Sequence, residues 1–425
     1  MKILVVGSGG REHAVIKKLK ESRHNPEIYS SPGGGGGKKD SVTFDVKATD
    51  VEGMVKLAKD EKIDLVCVTP DDPLVLGMVD ELNKAGIRAF GPSKNAAGIE
   101  GSKSFAKDLM KNNNIPTASF EVFSDFDKAV DYIKKENKFP VVIKADGLAL
   151  GKGVVIPENF EAAKKALEEI MLDKKFGKSG NTVVIEEFLQ GPEISVLCFT
   201  DGKTIKPMVS SMDHKRAEDG DKGLNTGGMG TIAPNPFYTK ELEEECFNNI
   251  FIPTIKAMSD MGNPFKGVLY FGLMATKSGV KVIEYNCRFG DPETQVCLPL
   301  LDGDLVDIMN ACIDGTLDKC PVSIKSGAAA CVILSSGGYP VAYEKGKLIE
   351  GLDEAESMDG INIFHAGTKL QDGRFYTDGG RVLGVGAVGK NLSDSLDRAY
   401  KAVEKISFDK MFFRHDIGLK ALKED

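Results

Sequence analysis

Apolar runs alternate with stretches of helical periodicity through the first hundred residues. Ile3–Val6, Glu27–Ser30, Ile63–Val68 and Ile87–Phe90 read as strands, and Glu12–Lys20, Val51–Asp60 and Leu74–Ala85 as helices, an order that folds into a doubly wound parallel sheet. From Gly101 the pattern changes. Helices are predicted over Ser102–Asn112, Phe126–Glu136 and Asn159–Met171, with a strand-loop-strand at Val141–Ile156 and strands at Thr182–Ile185, Glu193–Phe199 and Pro207–Ser211. Beyond Lys325 the chain is richer in glycine, with strands at Ala328–Leu334, Asn362–Ala366 and Arg381–Val388. A helix from Ser393 to Ile406 carries Leu396, Ala399, Val403 and Ile406 on one face.

Within the middle segment, Glu284, Asn286 and Arg288 stand at alternate positions of Val280–Glu293, so an extended chain projects them to one side. Carboxylate and amide oxygens are the hard ligands that Mg²⁺ takes, and Arg forks onto phosphate or carboxylate. Alone, such alternation is more often an edge strand with a solvated face.

Size and composition narrow the picture. A chain of 425 residues exceeds one ordinary core and suggests about three domains. The 41% hydrophobic and 28% charged content is that of a soluble globular protein. Neither a membrane span nor a signal peptide is expected, because no long apolar run occurs and MKILVVGSGG turns to glycine early. A cytoplasmic location is the expectation. The net charge of -8 argues against nucleic-acid binding. Eight cysteines without a CxxC pair read as reduced core thiols.

Three glycine-rich segments are candidates for chemistry. Gly7-Ser-Gly-Gly-Arg-Glu-His13 follows the first strand, where backbone N–H groups and a helix end suit a phosphate. A dinucleotide site is disfavoured: Glu12 replaces the third glycine of GxGxxG, and Ser30-Ser31 supply no ribose carboxylate. A phosphorylated substrate beside Arg11 and a tight structural turn both stay open. Gly33–Gly37 reads as a flexible loop, either spacer or mobile lid. Val141–Val154 carries Lys144 and Lys152 around Gly147, Gly151 and Gly153, a flap able to close backbone amides over phosphates, though a plain hairpin with solvated lysines fits the loop alone. Downstream, Val183–Leu189 ends a strand with Glu186-Glu187-Phe188, and Glu193 follows Gly191-Pro192.

Lys103, Lys144, the flap, the Glu-Glu-Phe hinge and the Glu-x-Asn strand, in this order, resemble the ATP-grasp fold. Gly7–Ala14, Phe90-Gly-Pro-Ser93, Asp213-His-Lys-Arg216, Asn225-Thr-Gly-Gly-Met-Gly230 and Arg288-Phe-Gly-Asp-Pro-Glu-Thr-Gln295 narrow the resemblance to the phosphoribosylamine–glycine ligase family, also called glycinamide ribonucleotide synthetase, over nearly the whole chain. The implied architecture is multidomain α/β and α+β: a Rossmann-like parallel-sheet (pre-ATP-grasp) domain at 1–101, an ATP-grasp domain at 102–325 with its flap-bearing part at 118–190, and a small α+β domain at 326–425. The implied reaction joins glycine to 5-phosphoribosylamine with ATP, through glycyl phosphate, in purine synthesis. Another ATP-grasp carboxylate–amine ligase is the near alternative, and a nicotinamide oxidoreductase or a non-catalytic nucleotide sensor the distant ones.

The resemblance also assigns residues. Glu284 and Asn286 match the family's Mg²⁺ or Mn²⁺ ligands. Lys103, Lys144, Glu187 and Glu193 match its nucleotide pocket, joined by Glu186 and Phe188 of the hinge and by Gly151, Lys152 and Gly153 of the flap. Gly9, Gly10 and Arg11 fall where the phosphoribosylamine phosphate is expected. Asp213, Lys215, Asn225, Arg288 and Asp291 fall in the substrate cleft, with Arg288, Lys152 and Asp213 as the catalytic candidates. His13 and His214 are hydrogen-bond partners without a paired carboxylate in sequence. The partners expected are small molecules, not nucleic acid or membrane, acting on a monomer, and no further fused domains are expected. The chain departs from the family pattern at Gly33–Gly37, at Asp71-Asp72-Pro73 and at Pro192.

Overall fold

The computed structural model describes residues 1–149 and 153–423. Its N-terminal part is a five-stranded sheet in the order Val42–Thr43, Glu27–Pro32, Lys2–Gly7, Leu65–Val68, Arg88–Phe90, parallel throughout. Ile3 to Val6 are fully buried, as a strand covered by helices on both sides must be. The strand order reverses beside Lys2–Gly7, so the loop after Gly7 sits at the crevice where such sheets bind ligands.

Two sheets make the middle region. Phe120–Phe123, Val183–Glu187, Val141–Ala145 and Val154–Val155 pair antiparallel in that order. Helices Phe126–Glu136 and Phe160–Leu167 pack on them. Asp125 and Asn159 cap these helices by accepting from the N–H groups of Lys128 and Ala162. The second sheet runs Ile205–Pro207, Glu193–Asp201, Lys266–Thr276, Gly279–Asn286. A third, in the order Met212–Asp213, Gly230–Ala233, Ala328–Ser336, Arg381–Gly389, Ile361–His365, underlies helix Leu392–Val403. Its first two strands come from before residue 325, so the C-terminal layer is woven into the middle of the chain.

Four expectations change. Leu74–Ala85 is two helices, Asp71–Leu76 and Met78–Lys84, broken where Gly77 turns left-handed at φ 94°. Asn159–Met171 ends its α-helix at Leu167 and widens into a π-helical turn at Glu168–Leu172. Pro207–Ser211 is not a strand: the ladder ends at Pro207, Met208 N–H makes one more bond to Leu197 O at 2.8 Å, and the later pairing is a bridge between Ser211 and Ser195. Gly33–Gly37 is no flexible loop, because Gly34–Asp40 is a helix. Its glycines serve close approach. A methyl on Gly36 would lie 2.6 Å from the His13 ring, one on Gly37 2.5 Å from Ser30 Oγ, and one on Gly35 would collide with Thr368. The helix is wedged between the N-terminal domain and the C-terminal layer.

Candidate functional site

The strand that carries the metal-ligand candidates Glu284 and Asn286 owes its geometry to one extra residue. Strict alternation along Gly279–Asn286 would put Glu284 and Asn286 on the face of Val280 and Val282, which are buried. Instead Leu273 pairs with Val282 and Gly272 with Glu284, leaving Ile283 as a bulge. The phase shift sends Tyr285 to the core beside Phe271 and turns Glu284 and Asn286 outward. The bulge carbonyl of Ile283 accepts from Lys144 Nζ at 3.0 Å. Arg288 lies beyond the strand end, but its Nη2 donates to Asn286 Oδ1 at 3.1 Å and pairs with buried Glu100 at 3.2 Å. Burial pushes the Glu284 carboxyl up, yet Lys215, Lys144, Lys103 and Arg288 together hold it below its ordinary value. Four cations thus act on one carboxylate.

Around it stand the other nucleotide candidates. Glu186, buried, lies between Lys144 Nζ at 2.9 Å and Lys107 Nζ at 2.8 Å. Its carboxylate is thereby committed to the lysines, leaving the main chain of the hinge for a ligand. Burial lowers Lys107 to about 8 and also lowers Lys103; Lys103 Nζ donates to Gly147 O at 3.0 Å. Glu187 is partly exposed, receiving Ser119 N–H at 3.0 Å and Lys281 Nζ at 2.8 Å, and those donors outweigh its burial to keep it acidic. Phe188 is exposed beside it. Glu193 pairs with Lys215 Nζ at 2.6 Å. Gly153 O accepts Ala145 N–H at 2.9 Å at the flap base; Gly151 and Lys152 lie outside the described residues.

The second group is acidic. At the start of helix Gly10–Lys20, Gly9 N–H donates to Glu12 Oε2 at 2.6 Å. Arg11 joins Glu12 Oε1 at 2.6 Å and Phe289 O at 3.2 Å. Methyls on Gly9 or Gly10 would stand 3.8 and 3.7 Å from the Asp291 carboxylate, so the expected phosphate loop already faces a negative group. Asp213 is ringed by protein, and burial, then the charge of Glu293, push it well up against the pull of Lys215 and Arg381. Glu293 is raised by burial as well, with Tyr270 OH donating to it at 3.3 Å. Asn225 is exposed on the hairpin strand Lys222–Asn225, opposite Arg216.

Family models match in three consecutive parts: the phosphoribosylglycinamide synthetase N domain over residues 1–100, its ATP-grasp (A) domain over 101–294 and its C domain over 329–420. The chain belongs to the phosphoribosylamine–glycine ligase family. The family member of Rhodopirellula baltica is 46% identical over 426 residues, covering 99% of this chain and 98% of that one. The chain also matches, at 45% identity over 99% of its length, 42% of the trifunctional purine biosynthetic protein adenosine-3 of Bos taurus. The crystal structure of the Thermotoga maritima phosphoribosylamine–glycine ligase superposes with a TM-score of 0.84 at 35% identity, over 98% of this chain and 100% of that one. A biotin carboxylase of Campylobacter jejuni, 15% identical with a TM-score of 0.76 over 96% of this chain and 92% of its own, shares the fold.

The family's ATP and divalent metal fit what is present. Glu284 is held ionised and, with Asn286 Oδ1, offers hard oxygen donors, and the surrounding lysines suit a polyphosphate. Reading the sequence missed Lys107, Glu100, Glu293 and Arg381. Lys107 falls four residues after Lys103 on helix Lys103–Asn112, a helical spacing that puts both on one side; Glu293 lies inside the Arg-Phe-Gly-Asp-Pro-Glu motif, and nothing local marks Glu100 or Arg381. His13 does have a carboxylate partner: Nε2 donates to Asp40 Oδ2 at 2.8 Å while Nδ1 accepts His365 N–H at 2.9 Å. His214 accepts Gly418 N–H on Nε2 at 3.0 Å and faces Gly230 O through Nδ1. Both rings are buried in domain contacts and brace the fold.

Proposed function

We propose that the chain joins glycine to 5-phosphoribosylamine, with ATP converted to ADP and phosphate. The observation that carries this is that Lys215, Lys144, Lys103 and Arg288 all act on the Glu284 carboxyl, with the acids Asp213, Glu293 and Asp291 as neighbours. A carboxylate does not condense with an amine in water because the leaving group would be oxide. Transfer of the ATP γ-phosphoryl group to a glycine carboxylate oxygen breaks the bond to the β-phosphate and gives glycyl phosphate and ADP. The substrate amine then attacks the acyl carbon, phosphate leaves, and the nitrogen gives up a proton.

Phosphoryl transfer needs positioning and charge neutralisation more than covalent help. Lys144, fixed by Ile283 O and Glu186, and Lys103, fixed by Gly147 O, present cations whose burial makes a phosphate partner favourable. Glu284 and Asn286 would hold Mg²⁺ or Mn²⁺, which when bound neutralises phosphate charge. Arg288 orients the carboxylate end of glycine. Asp213, raised by burial, sits where the amine's proton is released and accepts it. The family pattern gives Gly151, Lys152 and Gly153 the cover over the phosphates that excludes water. Lys215 sets the border between the halves, Asn225 and Asp291 line the sugar side, and the family pattern gives Gly9, Gly10 and Arg11 the sugar phosphate, which Arg11 would meet as a cation while Gly9 N–H stays with Glu12. The expected acting unit is a monomer.

The test is ADP release on adding freshly generated phosphoribosylamine with glycine. Release that needs both supports the proposal. Release with bicarbonate or another amine, and none with this pair, assigns a different ATP-grasp ligase.

A further inference from the structure

Arg381 comes from the C-terminal layer, yet every partner of its guanidinium belongs to the substrate cleft. Nη2 pairs with Asp291 Oδ2 at 2.9 Å, and Nη1 donates to Asp291 O at 3.0 Å and to Gly227 O at 2.6 Å, with Gly228 O at 3.4 Å. Two loops distant in sequence, Asn225–Gly230 and Arg288–Glu293, are thus joined through one planar fork. Gly227 leaves room for it: a methyl there would stand 3.0 Å from Arg381 Cζ. Tyr339 OH, from the same layer, accepts Gly227 N–H at 3.0 Å.

What the fork sets is the width of the cleft. Gly228, left-handed at φ 110°, abuts Asp213 Oδ1 and Pro292, at 2.7 and 2.5 Å from where a methyl would be. Moving either loop therefore moves Asp213 against Pro292. On the other side, Asp291 Oδ1 accepts Gln295 Nε2 at 2.6 Å, and both side chains face Gly10 at the helix start. The chain of contacts runs from the C-terminal layer through Arg381 and Asp291 to the N-terminal domain. Arg suits this post and Lys does not, since a point charge cannot serve a carboxylate and two carbonyls in one plane.

Resting on the proposed function, we propose that Arg381 is a positioning residue for the phosphoribosylamine side of the site, so that the C-terminal layer completes the active unit. The experiment compares Arg381→Lys and Arg381→Ala with the wild type. The KM for phosphoribosylamine is expected to rise about tenfold to a hundredfold, the loss of charge-assisted hydrogen bonds, while the KM values for ATP and glycine move less than about twofold. Free guanidinium at sub-denaturing concentration restores part of the loss in Arg381→Ala. A KM for phosphoribosylamine that stays put, or a parallel change in all three KM values without guanidinium rescue, overturns the proposal.

Amide exchange reads the same weld without substrate. Exchange across 226–230 and 289–293 is expected to quicken in Arg381→Lys, and unchanged exchange there overturns the proposal whatever the substrates prove to be. If the wild type shows normal exchange but no phosphoribosylamine-dependent ADP release, the proposed function fails while the weld stands.

Discussion

The two halves of the cleft carry opposite charge for opposite reasons. On the nucleotide side, buried lysines are held short of comfort: Lys103 and Lys107 are pulled down by burial, and Glu186 and Glu284 only partly answer them. On the sugar side, buried acids are held short of comfort: Asp213 and Glu293 are pushed up, with Lys215 and Arg381 only partly answering them. The first half is complementary to a polyphosphate, and the Asp213–Glu293 end of the second to an amine. A cleft with mixed charges throughout would neutralise itself and prefer neither.

The sharpest way to break this contrast is to remove a cation from the first half, or the carboxylate those cations act on. Lys144→Met or Glu284→Gln should lower turnover about a thousandfold, the scale of losing a preorganised charge at a phosphoryl transfer, with the far-UV spectrum unchanged; ordinary ADP release would undo the assignment. Glu186→Gln should cost about 3–5 kcal/mol in denaturant unfolding, because it leaves Lys107 and Lys144 buried without their shared anion. An unchanged unfolding midpoint would mean the two lysines are solvated after all.

Acid titration probes the brace beside the second half. Burial and the nearby Arg414 charge lower His214 to about 4 from 6.5. The unfolded chain therefore binds a proton at higher pH than the folded one, so the stability this ring confers is full above pH 6.5 and is lost as pH falls toward 4. The loss should reach about 3 kcal/mol. In His214→Gln the slope of unfolding free energy between pH 6.5 and 4 should flatten, and an identical slope would contradict it. The smallest effect concerns Asp213. With its carboxyl raised, the acid limb of kcat/KM for phosphoribosylamine should lie above the ordinary carboxylate range, and Asp213→Asn should flatten that limb and lower the value by about a hundredfold, leaving the KM for ATP in place. A limb that survives the substitution belongs to another group.

The halves also differed in how far the sequence disclosed them. Lys144, Glu186, Glu187 and Glu284 sit on or beside strands whose apolar runs are plain, so their order along the chain brought out the proposed nucleotide side. Even there the period of two was misleading. It grouped Glu284 and Asn286 with Val280 and Val282, and only the bulge at Ile283 separates them. Bulges arise from how one strand meets its neighbour, which a single strand's pattern does not carry. Arg381 was invisible for a related reason: it stands in an apolar strand of a domain that seemed an appendage, and its partner Asp291 is 90 residues away. Gly33–Gly37 misled through composition, since a glycine run is flexible only when nothing presses on it.

That glycine helix bears on how the protein can be engineered. Replacing glycine by alanine inside a helix normally strengthens it, by roughly 1 kcal/mol. At Gly35 and Gly36 the same exchange would drive a methyl into Thr368 and the His13 ring, so a standard recipe for heat resistance reverses its sign at these two sites. At Gly35 the space between the first and last thirds of the chain has no room for a methyl, at Gly36 the His13 ring takes that room, and any library built to toughen this protein should leave those codons alone.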